Sequence, residues 1–218
     1  MYNDRMPITS FEIRVCTACG LRYPLVQGHS FGLRCPICTA DTRAVLSRVL
    51  NTEVHAQLAG NESATRRFAV LLDNIRSAWN VGSILRSADG FGFMHVYLCG
   101  ITPAGDHEAV AKTSLGAENS VPWSYHKDAL KLVRGLKAEG WSINALEEDP
   151  RASPIMGASS AQSHLWIVGN EVTGVDPDLL ELCDRIFYIP MRGEKQSFNV
   201  AIAFGIAAYA SSNQEDKP

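Results

Sequence analysis

LWIVGNEVTGVDPDLLELCDRIFYIPMRGEKQSFNVAIAFGIAAY, residues 165–209, carries the architecture of this chain. Leu165 to Val168 is an unbroken apolar run, as expected of a strand covered on both faces. It stops at Gly169-Asn170-Glu171, with Gly174 close behind. A second apolar run, Arg185 to Ile189, stops at Pro190-Met191-Arg192-Gly193. Ser197, Phe198 and Asn199 then open a helix made of small and apolar residues. Two strands ending in polar, glycine-bearing loops suit a ligand site, because α/β proteins bind ligands beyond the carboxyl ends of their strands. Each residue also has a plainer use. Gly-Asn after a strand makes a turn, and Ser before an apolar helix makes an N-cap.

Working outward, apolar runs at Phe68–Leu72, His95–Cys99 and Trp141–Leu146 read as further strands. Asn80-Val81-Gly82 reads as a turn, followed by helix over Ser83–Asp89. Helical periodicity returns over Asp128–Glu139 and near Pro177–Cys183. Strands alternating with helices predict a mostly parallel α/β sheet. No G-x-G-x-x-G follows the first strand, and no G-x-x-x-x-G-K-[ST], G-x-S-x-G or H-E-x-x-H occurs. These absences count against an ordinary dinucleotide fold, a P-loop ATPase and the common hydrolase motifs.

The chain has 218 residues with 46% hydrophobic content, enough for a medium domain and a small one. Residues 1–67 hold eight Arg, no Lys and five acidic residues, a balance of +3. The whole carries −3, so the remainder carries −6. A basic module beside an acidic domain suits delivery of an anionic partner. No apolar leader and no long apolar run appear, so a cytoplasmic location is expected.

Cys16-x2-Cys19 and Cys35-x2-Cys38 are separated by 15 residues. Two close thiol pairs suit a tetrahedral zinc, and four sulfur ligands leave no open position, so the site reads as structural. Two disulfides are the alternative, disfavoured in a reducing compartment. Arg14, Arg22, Arg34 and Arg43, with Tyr23 and Phe31, suit contact with phosphates and bases. His29 reads as a surface residue, and Cys99 and Cys183 as small core residues. The expected organisation is a zinc ribbon over 1–47, a linker over 48–67, the α/β domain over 68–212 and a tail over 213–218, with connector character from Leu46 to Arg67.

DNIRSAWNVGSILRSADGFG, IVGNEVTGVDPDLLELCD and IPMRGEKQSFNVAIAFGIAAY resemble, in order, the three motifs of the SpoU-type (TrmH-like) RNA ribose methyltransferases of the SPOUT superfamily. The third motif reads Ser197-Phe198-Asn199-Val200 where the family usually has leucine second. The resemblance implies a C-terminal trefoil knot, S-adenosylmethionine as methyl donor, a homodimer involving the last helix, and structured RNA (tRNA or rRNA) as substrate. By matching positions, it implies cofactor contacts at Gly169, Ile189 and Phe198, with Met191 in the same loop. It implies catalytic and placement roles for Asn80, Arg86, Glu171, Ser197 and Asn199. The resemblance implies Arg86 as the base; because a guanidinium is a poor base, the reading preferred beside it is that Arg86 holds the adjacent phosphate and stabilises developing alkoxide, and both roles stay open. Asn80 and Glu171 orient Arg86, and Ser197 and Asn199 line the loop where donor and ribose meet. The competing function is a non-catalytic zinc-ribbon RNA-binding protein that keeps the knotted domain for dimerisation.

Overall fold

The computed structural model describes residues 10–26, 29, 32–49, 67–155, 163–195 and 197–212. The chain divides into two compact units, 1–62 and 63–218. In the first, β1 (Ser10–Cys16), β2 (Arg22–Val26) and β3 (Thr42–Val49) form an antiparallel sheet in the order β2-β1-β3. Leu46 to Val49, read as connector, are thus the end of β3, and Arg67 begins the next strand. The rest of that connector, and the tail from residue 213, lie outside the described residues.

The second unit opens with β4 (Arg67–Asp73), α1 (Ala78–Gly90) and β5 (His95–Cys99). Then come α2 (Glu108–Ser114), α3 (Ala117–Ser120), β6 (Trp123–His126), α4 (Ala129–Ala138), β7 (Ser142–Leu146) and the short β8 (Ser153–Pro154). It closes with β9 (Ser163–Val168), α5 (Pro177–Leu182), β10 (Arg185–Tyr188) and α6 (Val200–Ser212). The seven strands pair in the order β6-β5-β4-β9-β7-β10-β8, every pair parallel. All strands therefore deliver their carboxyl ends to one edge. β9 arrives after β7 yet lies between β4 and β7, and β10 then crosses to the far side of β7.

β9 is buried at every position, which explains its apolar run without alternation. Successive side chains feed opposite faces. Val70, Leu72, Trp166 and Val168 enter one apolar cluster with α1 and α6. Ala69, Leu71, Leu165 and Ile167 enter another with α4 and α5. Trp166 Nε1 donates to Ser211 Oγ at 2.9 Å, tying the end of α6 to the central strand.

The turn expected at Asn80-Val81-Gly82 is helix instead, since α1 already begins at Ala78. Gly82 serves packing rather than turning. A Cβ there would lie 2.0 Å from Thr113 Oγ1 and 2.5 Å from the Val110 carbonyl oxygen, so only glycine lets α1 meet α2 this closely. α2, α3 and β6 were not foreseen, being short and set in polar sequence. Among the described residues, no helix is long and apolar enough to cross a membrane.

Candidate active site

The site grows from the loop after β9. Gly169 meets the backbone of its own loop, where a Cβ would sit 2.2 Å from Gly174 C and from Val175 N. Asn170 and Gly174 exchange backbone hydrogen bonds of 3.0 and 2.9 Å, closing the loop on itself. Asn170 Oδ1 accepts from the N–H groups of Val172 (2.9 Å) and Thr173 (3.2 Å). Its Nδ2 donates to the carbonyl of Asn74 at 2.7 Å. The Gly-Asn pair is therefore a built turn moored to the end of β4. Its product is the fixed position of Glu171.

Glu171 is bound to the start of α1. Its Oε2 accepts from Arg76 N (2.9 Å), and its Oε1 accepts from Ser77 N (3.0 Å) and Asn80 Nδ2 (3.0 Å). The first N–H groups of a helix lack intrahelical partners and favour negative charge. Glu171 thus acts with the Ser77 N-cap to start α1 from 94 residues away. Burial alone would raise its carboxyl pKa. The N–H groups of Arg76, Glu171 itself and Ser77, with the Asn80 amide, outweigh burial and hold it below the usual carboxylate range. The chain of bonds continues from Asn80 Oδ1, which accepts from Asn199 Nδ2 at 3.1 Å. Asn199 Oδ1 accepts from Ala201 N at 2.9 Å in the first turn of α6. One residue from each of the three quoted segments joins this line, which clamps α1, the loop after β9 and α6 together.

Beside the clamp lies a cavity of about 450 Å³ at the carboxyl ends of β7, β9 and β10. Gly169, Ile189, Met191 and Phe198 all line it, as do Glu171, Ser197 and Asn199. Asn80 stands behind this wall, bonded to two lining residues. Arg86 does not join them. It lies six positions beyond Asn80, about 9 Å further along the helix axis. It is exposed and, among the described residues, makes no hydrogen bond or ion pair. Asn80 and Glu171 bond each other and the helix backbone, not Arg86. Sequence reading passed over Glu147 and Glu148, which also line the cavity. The rule applied to β9 and β10, that ligands gather where strands end, would have found them at the end of β7.

In the first unit, the sulfurs of Cys16, Cys19, Cys35 and Cys38 all lie within 4.8 Å of one another. Cys16 Sγ is 3.4 Å from Cys38 Sγ, and Cys19 Sγ is 3.7 Å from Cys35 Sγ. Four sulfurs each about 2.3 Å from a zinc stand about 3.8 Å apart, so the cluster fits that ion. The N–H groups of Cys19 and Ala18 point at Cys16 Sγ, both at 3.4 Å. The Cys19 N–H most of all, then the Ala18 N–H and the neighbouring Cys38 and Cys19 thiols, lower the Cys16 thiol to about 6 against the cost of burial.

The description SpoU rRNA Methylase family matches residues 67–209, nearly the whole α/β unit. The chain belongs to this family. A relative from Bacillus subtilis, 23S rRNA (guanosine(2553)-2'-O)-methyltransferase RlmP, is 31% identical over 186 residues, 82% of this chain and 72% of its own length. The tRNA (guanosine(18)-2'-O)-methyltransferase of Thermus thermophilus is 31% identical over 150 residues, 68% of this chain and 75% of its own. The crystal structure of an AdoMet-bound rRNA methyltransferase from Sinorhizobium meliloti has the same fold. It superposes with a TM-score of 0.63 at 24% identity, over 66% of this chain and 55% of that one. This SpoU family member is thus similar in sequence to methyltransferases named for 23S rRNA and for tRNA, and similar in fold to a solved rRNA methyltransferase.

Proposed function

We propose that this chain transfers a methyl group from S-adenosylmethionine to a ribose 2'-hydroxyl of tRNA or rRNA. The observation that carries the reading is the cavity at the carboxyl ends of β7, β9 and β10, walled by the second and third motifs and clamped to the first through Asn80. Its volume of about 450 Å³ and its mixture of backbone, Leu146, Ile189 and Met191 suit a nucleoside with an amino-acid arm. Bound there, S-adenosylmethionine supplies a methyl carbon on a positively charged sulfur.

The chain's residues supply positioning and charge. The Glu171–Asn80–Asn199 line holds the cavity wall rigid, which places a bound reactant without reorganisation at the moment of reaction. Glu171 spends both oxygens on N–H donors, so it serves as an anchor rather than as a base. Such a methyl donor would supply the methyl carbon to the ribose oxygen and retain the bonding pair, while the hydroxyl proton would leave to water. Arg86 keeps its own proton and offers a guanidinium to the neighbouring phosphate and the developing oxyanion.

The exposed position of Arg86 supports delivery from a second copy of the chain. So does the apolar surface shared by α1 and α6, where Trp79, Ile202 and Tyr209 are 63%, 56% and 62% exposed. The homodimer and the trefoil knot belong to this proposal, the knot supported by the late insertion of β9. Zinc at the four cysteines completes it, with a cytoplasmic setting that keeps thiols reduced. The exposed Arg22, Arg43 and Arg48 support a role for the first unit in RNA capture.

The test is methyl transfer from labelled S-adenosylmethionine to unmodified tRNA and 23S rRNA transcripts, read as 2'-O-methylnucleosides after digestion. Transfer to one class is expected. Donor binding with transfer to neither would favour the non-catalytic reading. In the same assay Arg86→Ala and Asn199→Ala should each lose about a hundredfold in rate. Mixing the two should restore part of the activity if Arg86 acts across a dimer, and none if it acts within its own chain.

A further inference from the structure

The cavity has a charge pattern that its proposed use leaves unexplained. Glu147, Glu148 and Glu171 line it, and among the described residues no Lys, Arg or His does. The three carboxylates are not equivalent. Glu171 is spent on the start of α1, where the helix dipole and three N–H donors answer its charge. Glu148 is exposed at the rim, where water screens it. Glu147 is half-buried at the end of β7, and among the described residues it has no cationic partner.

Glu147 is also held in place. Its Oε2 accepts from Val175 N at 2.8 Å, and its Oε1 accepts from Glu148 N at 3.0 Å. Its own N–H donates to the Phe187 carbonyl at 2.9 Å. Gly174 has φ +72, and a Cβ there would lie 2.4 Å from Glu147 Oε2. The loop after β9 thus leaves out a side chain just where the carboxylate packs beneath it. A fixed, partly desolvated negative charge in the wall of a ligand cavity distinguishes ligands by charge.

The donor and its product differ in that property. S-adenosylmethionine carries a sulfonium, and S-adenosylhomocysteine carries a neutral thioether in its place. Resting on the donor assignment made above, we infer that Glu147 is a specificity-determining residue. Its carboxylate makes the cavity prefer the cationic donor over the neutral product, and so favours product release after each transfer. A field from a fixed charge needs no direct bond to the sulfur. Its effect falls with distance and persists in salt to the extent that the group is desolvated.

The experiment is calorimetry on the full, zinc-loaded chain with S-adenosylmethionine, S-adenosylhomocysteine and sinefungin. Sinefungin carries an ammonium where the donor carries its sulfonium. The wild-type chain should bind both cations more tightly than the thioether. Glu147→Gln keeps a carbonyl oxygen for the Val175 N–H and removes the charge. It should weaken both cationic ligands about tenfold while leaving the thioether within about twofold. Glu148→Gln should change the ratio by less than half as much. Loss of all three ligands in equal measure, or no change in any, would overturn the inference, because a purely structural Glu147 cannot select by charge. Should Glu147→Gln fail to fold, the wild-type chain still decides. Its preference for the two cations over the thioether should persist at high salt, as expected of a half-buried charge, and equal affinity for all three ligands would overturn the inference. A wild-type chain that binds none of the three would remove the donor assignment itself, a result distinct from binding without charge selection.

Discussion

The two units of this chain reach order by different means. In the α/β unit, two apolar clusters fill both faces of a parallel sheet, and β4 and β9 contribute to both. In the first unit, the buried residues among those described are Cys16, Cys35 and Arg14, and β3 is exposed at seven of its eight positions. A three-stranded sheet of this kind removes too little apolar surface from water to offset the entropy of ordering it. The sulfur cluster stands where a hydrophobic core would be. The comparison teaches that one unit is stabilised by what it hides from water, while the other offers a sulfur cluster in that place, which on the zinc proposed above would stabilise it by what it binds.

Metal removal tests that contrast most severely. Stripping the four cysteines with a strong chelator should unfold the first unit outright, consistent with a binding contribution on the order of 10 kcal/mol in small zinc modules. Hydrogen exchange should show β1–β3 losing protection while β4 and β9 keep theirs. A first unit that stays protected without metal would end the contrast.

A smaller effect is expected at the loop after β9, where the α/β unit depends on backbone closeness rather than apolar burial. Gly169→Ala forces a methyl group to 2.2 Å from the Gly174–Val175 backbone. It should cost about 2–4 kcal/mol of unfolding free energy and abolish measurable donor binding. Chemical denaturation and calorimetry read the two effects. A stable variant that binds normally would show the loop to be looser than its geometry states.

The smallest effect sharpens the comparison inside the α/β unit. Glu171→Gln removes the charge at the start of α1 and should cost about 1 kcal/mol at neutral pH. The sign of its pH dependence follows from the depressed folded-state pKa. The contribution is complete above the unfolded glutamate value of about 4.3 and fades as pH falls through the lower folded value. Wild-type and variant stabilities should therefore converge in acid. A gap that persists unchanged there would assign the effect to packing instead.

Much of this was readable in the residues, for identifiable reasons. The strands at Phe68, His95, Trp141, Leu165 and Arg185 announce themselves because a buried parallel strand must be apolar on both faces. The cavity-lining positions sit where those strands end. The start of α1 was misread because its decisive cap, Glu171, comes from a distant loop, and because Gly82 in sequence looks like a turn. Edge strand β6 and helices α2 and α3 are too short for periodicity to show. The separation of Arg86 from Asn80 was unreadable for a different reason. Both belong to one quoted segment, but six positions along a helix is a displacement that a motif does not express.

The place of β9 has a consequence during synthesis. The strand at the middle of the sheet leaves the ribosome after both strands it joins, β4 and β7. Until Ser163–Val168 emerges, β4 and β7 each present an open side with no neighbour to fill it. A nascent chain ending short of residue 163 carries every helix of the first half and still lacks the strand that joins the two halves of its sheet. Such a chain waits with unpaired strand sides, the state in which pairing with another chain competes with pairing within its own. The pace of translation through residues 163–212 therefore bears on the yield of folded protein, because the strand that joins the two halves of the sheet is made after both of them.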